Sequence, residues 1–133
     1  MTRLALAIAT AVAALAAPVL AEQPLSVEAF EQLTTGRTMT FGFEGAEPYG
    51  IERYLPGRRV TWAFIGDNCV NGRWFPEGDN ICFVYDDGTG PECWQFFKDG
   101  EGMTAVFMGD DDPGLRYTVR DAEIPLTCPG AGV

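Results

Sequence analysis

Three short runs of apolar and aromatic residues, 73–75, 80–85 and 92–97, are separated by Pro76-Glu77-Gly78-Asp79 and Asp86-Asp87-Gly88-Thr89-Gly90. No other stretch narrows the choice of fold as much. Apolar runs bounded by Gly, Pro and Asp read as antiparallel strands joined by tight turns. Centring the second turn between Asp87 and Gly88 sets Cys82 opposite Cys93 and Ile81 opposite Trp94. Centring the first between Glu77 and Gly78 sets Trp74 opposite Ile81. Side chains alternate between the two faces of a strand. One face therefore collects Trp74, Ile81, Phe83, Trp94 and Phe96, and the other Arg73, Asn80, Cys82, Val84, Cys93 and Gln95. A slip by one residue would destroy this sorting.

The chain begins with Arg3 as a positive flank, an apolar stretch over residues 4–17, and small residues before Glu22. This pattern is that of a secretory signal over residues 1–21. An uncleaved membrane anchor would need a longer apolar run and no cleavage site. Residues 22–133 then read as a single domain, and residue 22 is not a cysteine that could carry lipid. All 9 Phe, 4 Tyr and 3 Trp fall in that domain, enough for a core. The formal net charge of −10 becomes −11 once Arg3 is gone. Such an acidic chain is poorly suited to nucleic acid or an anionic membrane.

Four cysteines in an exported chain imply two bridges, with three connectivities open on count alone. The register selects Cys82–Cys93, since residues facing one another stand about 4.5–5.5 Å apart, within disulfide reach. Cys69–Cys128 follows by elimination. Metal binding is the alternative use of four cysteines, but the chain has no His and no closely spaced Cys pair, so no metal and no cofactor are expected.

Along the rest of the domain, residues 25–33 read as a short helix. Ser26 is its N-cap, Leu25 and Phe30 form a hydrophobic staple, and Gly36 is the stop. Strands are expected over residues 38–44, 50–55 and 59–65, where Val60, Trp62 and Phe64 point inward. Two more follow the central meander, over 102–108 and 115–120. Taking Asp99-Gly100 as a two-residue turn pairs Phe96 with Met103 and Trp94 with Ala105. The fold class is thus mainly β: an antiparallel up-and-down meander of about eight strands, closed or nearly closed into a small barrel, with one N-terminal helix. A sandwich is the second choice.

The chemistry is bounded by what is missing. Without His, and with Ser26 as the sole serine, the Ser–His, Cys–His and His-metal mechanisms are excluded. Phosphate-binding glycine loops are missing as well. The acids Glu77, Asp79, Asp86 and Asp87 occupy turns, where Asp and Glu are ordinary turn formers. Asp110-Asp111-Asp112 lacks the alternating ligand spacing of a calcium loop and reads as part of a turn. Glu92 stands out, because the register puts it on the apolar face, opposite Phe83 and Phe107. Buried there, it would need Arg53, Arg58, Arg59 or Arg73 as a partner. The ligand-site candidates are accordingly Glu92 with Arg53 or Arg73, beside Trp74 and Trp94.

The runs 54–63, YLPGRRVTWA, and 72–83, GRWFPEGDNICF, followed by Cys93-Trp94, resemble small exported bacterial proteins of unknown function with a G-x-W…GD-x-x-C-F…C-W core. The resemblance spans most of residues 22–133 and implies export and a compact β fold. The reading reached from the sequence is a non-catalytic binding or interaction protein, periplasmic or secreted, whose partner is a small ligand or an envelope protein. A carboxylate-based hydrolase acting on a glycan and a solidly packed envelope accessory protein are the alternatives. Intact-mass measurement of exported material should place the N-terminus at Glu22; a species retaining Met1 would refute the leader assignment.

Overall fold

The computed structural model describes residues 11–18 and 22–129. Residues 11–18 are exposed and form no regular secondary structure, and the cleavage junction expected after Ala21 lies outside the described residues. Helix α1 (Val27–Thr34) precedes eight strands. These are β1 (Thr38–Gly42), β2 (Gly50–Leu55), β3 (Arg59–Phe64), β4 (Val70–Glu77), β5 (Asn80–Tyr85), β6 (Glu92–Asp99), β7 (Gly102–Phe107) and β8 (Arg116–Asp121). Each strand pairs antiparallel with the next, and β8 returns to pair with β1, as in Phe41 opposite Val119. The result is the closed up-and-down barrel expected from the strand count, with no free sheet edge. Among the described residues no helix is long and apolar enough to cross a membrane.

The two faces of the meander sort as anticipated. Trp74, Ile81, Phe83 and Phe96 are buried in the barrel core, and Trp94 packs against them. The expected pairings across both two-residue turns nevertheless shift. Trp74 faces Phe83 instead of Ile81, and Phe96 faces Ala105 instead of Met103. The cause is the same at both turns. Gly78 and Gly100, each at φ +60°, take the first central position of a two-residue turn, so the loops are Gly78-Asp79 and Gly100-Glu101. A glycine leading the pair is the type II′ arrangement, whereas the sequence reading assumed Asp or Glu first. Moving the turn by one residue moves the pairing by two, which preserves the face of every side chain. Phe107 consequently faces Trp94 instead of Glu92, and Trp94 no longer faces Ala105, while Glu92 faces Phe83 as expected.

One end of the barrel is stoppered. The Ser26 side chain accepts from the Ala29 amide at 3.1 Å and starts α1; Gly36, at φ +84°, follows its C-cap. Leu25 anchors the approach to the helix through its amide, which donates to the Phe96 carbonyl at 2.7 Å. Phe30 then enters the barrel with 0% exposure, its ring edge-on to Tyr54 at 5.8 Å and to Trp74 at 5.1 Å. Arg58 fastens the stopper from outside. Its guanidinium lies 4.8 Å over the Trp74 ring and 3.3 Å from Glu31 of α1. Arg58 thus clamps helix to barrel.

Both expected bridges form. Cys82–Cys93 staples β5 to β6 with Cα atoms 4.0 Å apart, and Cys69–Cys128 ties the β3–β4 loop to the tail at 5.2 Å. The tail lays Leu126 over Ile51 and Ala63 on the outer wall, making a second small apolar cluster. Paired cysteines of this kind suit an oxidising compartment. Phe30→Ala should lower stability by about 3–5 kcal/mol through the cavity it opens under the helix. A urea midpoint close to that of the parent would show that the stopper contributes little.

Candidate functional site

The loops at the opposite end, β1–β2, β3–β4, β5–β6 and β7–β8, leave the barrel open to a cavity of about 560 Å³. A volume in the range of about 300–1,000 Å³ is that of small-molecule sites. Aromatic rings make its walls. Tyr49 from the β1–β2 loop stands 6.1 Å from Trp62 of β3 in that wall, and Tyr117 of β8, which does not itself line the cavity, lies 5.2 Å from Tyr49 and 5.3 Å from Trp94 of β6. Phe41, Phe83 and Phe96 complete the lining toward the core.

The space for these rings is set by glycine. Gly50 faces inward, and a Cβ there would collide with the Trp62 indole. A Cβ at Gly72, which pairs with Tyr85, would strike the Val84 carbonyl and the Tyr85 ring. Tyr85 can therefore lie close against β4, and its hydroxyl reaches across to β2, donating to Glu52 Oε2 at 3.0 Å.

Glu52 is the centre of the site. It is 2% exposed, lines the cavity, and its Oε1 is buried with no hydrogen-bond partner among the described residues. Among the described residues no arginine or lysine lies on the cavity wall. Burial therefore pushes the carboxyl up to about 8, partly offset by the Tyr85 hydrogen bond, with the charge of Glu92 adding to the rise. Burial likewise raises the hydroxyls of Tyr85 and Tyr54, and Glu52 adds to both. The Tyr54 hydroxyl is likewise buried without a partner among the described residues. The acid is neutral at pH 7 and holds a proton it can donate.

Three further carboxyls, Asp67, Asp87 and Glu92, stand exposed on the lining nearer the mouth. Asp87 accepts from the Thr89 amide at 2.9 Å, which lowers its pKa and keeps it charged. Both bridges brace this rim, since Cys69 belongs to the lining and Cys93 adjoins Glu92.

Of the residues singled out from sequence, Glu92 and Trp94 line the cavity. Trp74 is buried at the stoppered end under Phe30. The arginines are all elsewhere. Arg53 points outward and donates to the Leu126 carbonyl at 3.2 Å, while Arg73 lies 5.6 Å from the Phe75 ring on the outer wall. Arg58 holds Glu31, and Arg59 donates to the Pro56 carbonyl at 3.3 Å. Glu92 is exposed and needs none of them. Asp110-Asp111-Asp112 is exposed in the β7–β8 loop and does not line the cavity. Glu77 lies within 4.8 Å of Cys82 and Cys93, but bridged sulfurs offer no thiolate to a metal.

Glu52 itself escaped the sequence reading. Residues 50–55 contain two competing alternations, Gly50/Glu52/Tyr54 and Ile51/Arg53/Leu55, and the second carries more aliphatic side chains. A usable signal was present. A three-residue loop over 56–58 sets Glu52 opposite Trp62, whose face was already assigned inward.

No family model, curated protein or solved structure matches this chain.

Glu52 supplies a pH prediction with a definite sign. Its folded pKa is raised from 4.5 to about 8, so the folded state retains a proton that the unfolded state releases. That contribution is intact below about pH 4.5 and is lost as pH rises through 8. Relative to Glu52→Gln, the parent should lose on the order of 4 kcal/mol between about pH 5 and pH 8. Parallel urea titrations across that range check it, and superimposable pH profiles would contradict it.

Proposed function

We propose that this chain is an exported, non-catalytic binding protein that holds one small organic ligand in the open end of its barrel. The observation carrying the reading is the 560 Å³ cavity with aromatic walls around one buried, half-satisfied carboxyl. An aromatic enclosure with few convergent polar groups is the usual make-up of a ligand site. The open volume favours this over a solidly packed accessory protein. A glycan hydrolase would pair two carboxyls across the scissile bond, one of them desolvated. Here one carboxyl is buried, and the other three on the lining are exposed near the mouth. The aromatic enclosure and the Tyr85 bond to the buried acid, not the distribution of carboxyls, favour binding over hydrolysis.

The leader pattern and the two bridges support the periplasm or the exterior as the compartment. On the G-x-W…GD-x-x-C-F…C-W residues we also group the chain with small exported bacterial β proteins.

Native mass spectrometry of protein isolated from its own compartment should show a discrete small-molecule adduct. Protein freed of it by unfolding and refolding should bind the neutral dye Nile red saturably at one per chain, quenching Trp62 and Trp94. Neither adduct nor saturable dye binding would remove the reading.

A further inference from the structure

The cavity carries a consistent charge signature beyond its size. Acidic groups line it at two depths, Glu52 at the floor and Asp67, Asp87 and Glu92 toward the mouth, and among the described residues no basic side chain lines it. The basic residues of the barrel are engaged elsewhere or point outward, as Arg37 with Asp121, Arg58 with Glu31 and Arg120 with Asp99. An anion entering this space would pass the charged Asp87 and find no basic partner among the lining residues. The rings offer negative π faces, which attract an organic cation in a desolvated site.

We infer that the ligand is an organic amine with an apolar or aromatic body, its ammonium seated on Glu52 Oε1 and its body held between Trp62, Trp94 and Tyr49. This rests on the reading of the cavity as a ligand site. The floor specifies a single polar head. Tyr85 occupies Oε2 at 3.0 Å, so Oε1 is the acceptor left over. One carboxylate oxygen among aromatic rings does not suit a hard metal ion, which takes about six or more oxygens. It does suit a monocation whose remaining surface is apolar. The rim acids would draw such a cation inward over a range set by ionic strength.

Seating the ammonium also moves a proton. The groups facing Glu52 are Tyr85 from β5, Tyr54 on its own strand, Tyr49 from the β1–β2 loop and Glu92 from β6. None is a cation, so the carboxyl is neutral at pH 7 when the cavity holds no ligand. An arriving ammonium favours the ionised form. The Glu52 O–H bond breaks, the proton leaves to solvent, and the pair of charges remains in the cavity. Binding should therefore release close to one proton per amine at pH 7 and tighten as pH rises toward 8.

The test is isothermal titration calorimetry on refolded mature protein with three matched probes: tryptamine, the neutral tryptophol and the anionic indole-3-acetate. Tryptamine should bind at least about 10-fold more tightly than tryptophol, indole-3-acetate should not bind, and Glu52→Gln should abolish the preference for tryptamine. Repeating the parent titration in phosphate and in Tris reads the proton release, which keeps the test valid if Glu52→Gln fails to fold. Tryptophol or indole-3-acetate binding as tightly as tryptamine would overturn the amine assignment and leave the binding reading intact. So would tryptamine binding without proton release, or failing to bind a protein that takes up Nile red. A protein that binds neither the three probes nor the dye loses both.

Discussion

The ladder between β1 and β8 is the constraint from which the rest of the molecule follows. Without it the sheet would present two unpaired edges and no enclosed interior. With it, the inward residues of all eight strands must share one narrow space. That space has to be filled or left as a cavity, and here both occur. The end bearing the short turns is filled by Phe30, carried in by α1, together with Tyr54, Trp74 and Phe96. At the end bearing the longer loops the rings line the wall and leave the middle open.

Glycine decides how the remaining rings are disposed. Trp62 folds over Gly50 and Tyr85 over Gly72, so each large ring has a missing Cβ beneath it. The effect is to press aromatic surface against the wall and bring the Tyr85 hydroxyl to Glu52. Packing and polar placement are thus one design. The strand geometry that lets Tyr85 lie close is also what makes Glu52 singly satisfied.

Much of this architecture was legible in the sequence because β structure has a period of two. Trp74, Phe83, Trp94 and Phe96 could be assigned to one face from alternation alone. The Cys82–Cys93 bridge followed from one turn count. Register was harder to read, since Gly78 and Gly100 can serve as the first or second turn residue with no change in composition. The site was harder still. The tail hides Ile51 on the outer wall, and Arg53 is drawn to the Leu126 carbonyl. Residues 50–55 therefore lack the apolar-in, polar-out contrast that marks a half-buried strand, and Glu92 looked like the anomalous acid when Glu52 was.

A buried carboxyl with one free oxygen is an expensive feature for so small a barrel. At pH 7 the rise of Glu52 to about 8 amounts to about 3 kcal/mol against folding, relative to an unperturbed acid. A domain of this size has only about 5–15 kcal/mol in total. A disulfide closing a short loop, as Cys82–Cys93 does, contributes about 3 kcal/mol. The two effects are of the same size and opposite sign, and the bridge lies beside the cavity whose acid it offsets. Glutamine could accept the Tyr85 hydrogen bond without carrying charge, and an apolar residue there would leave only the Tyr85 hydroxyl to accommodate. Structure alone would be served by either. The position instead carries the group that can ionise when a positive charge arrives, which is the property a site for a cation requires and a packed core does not.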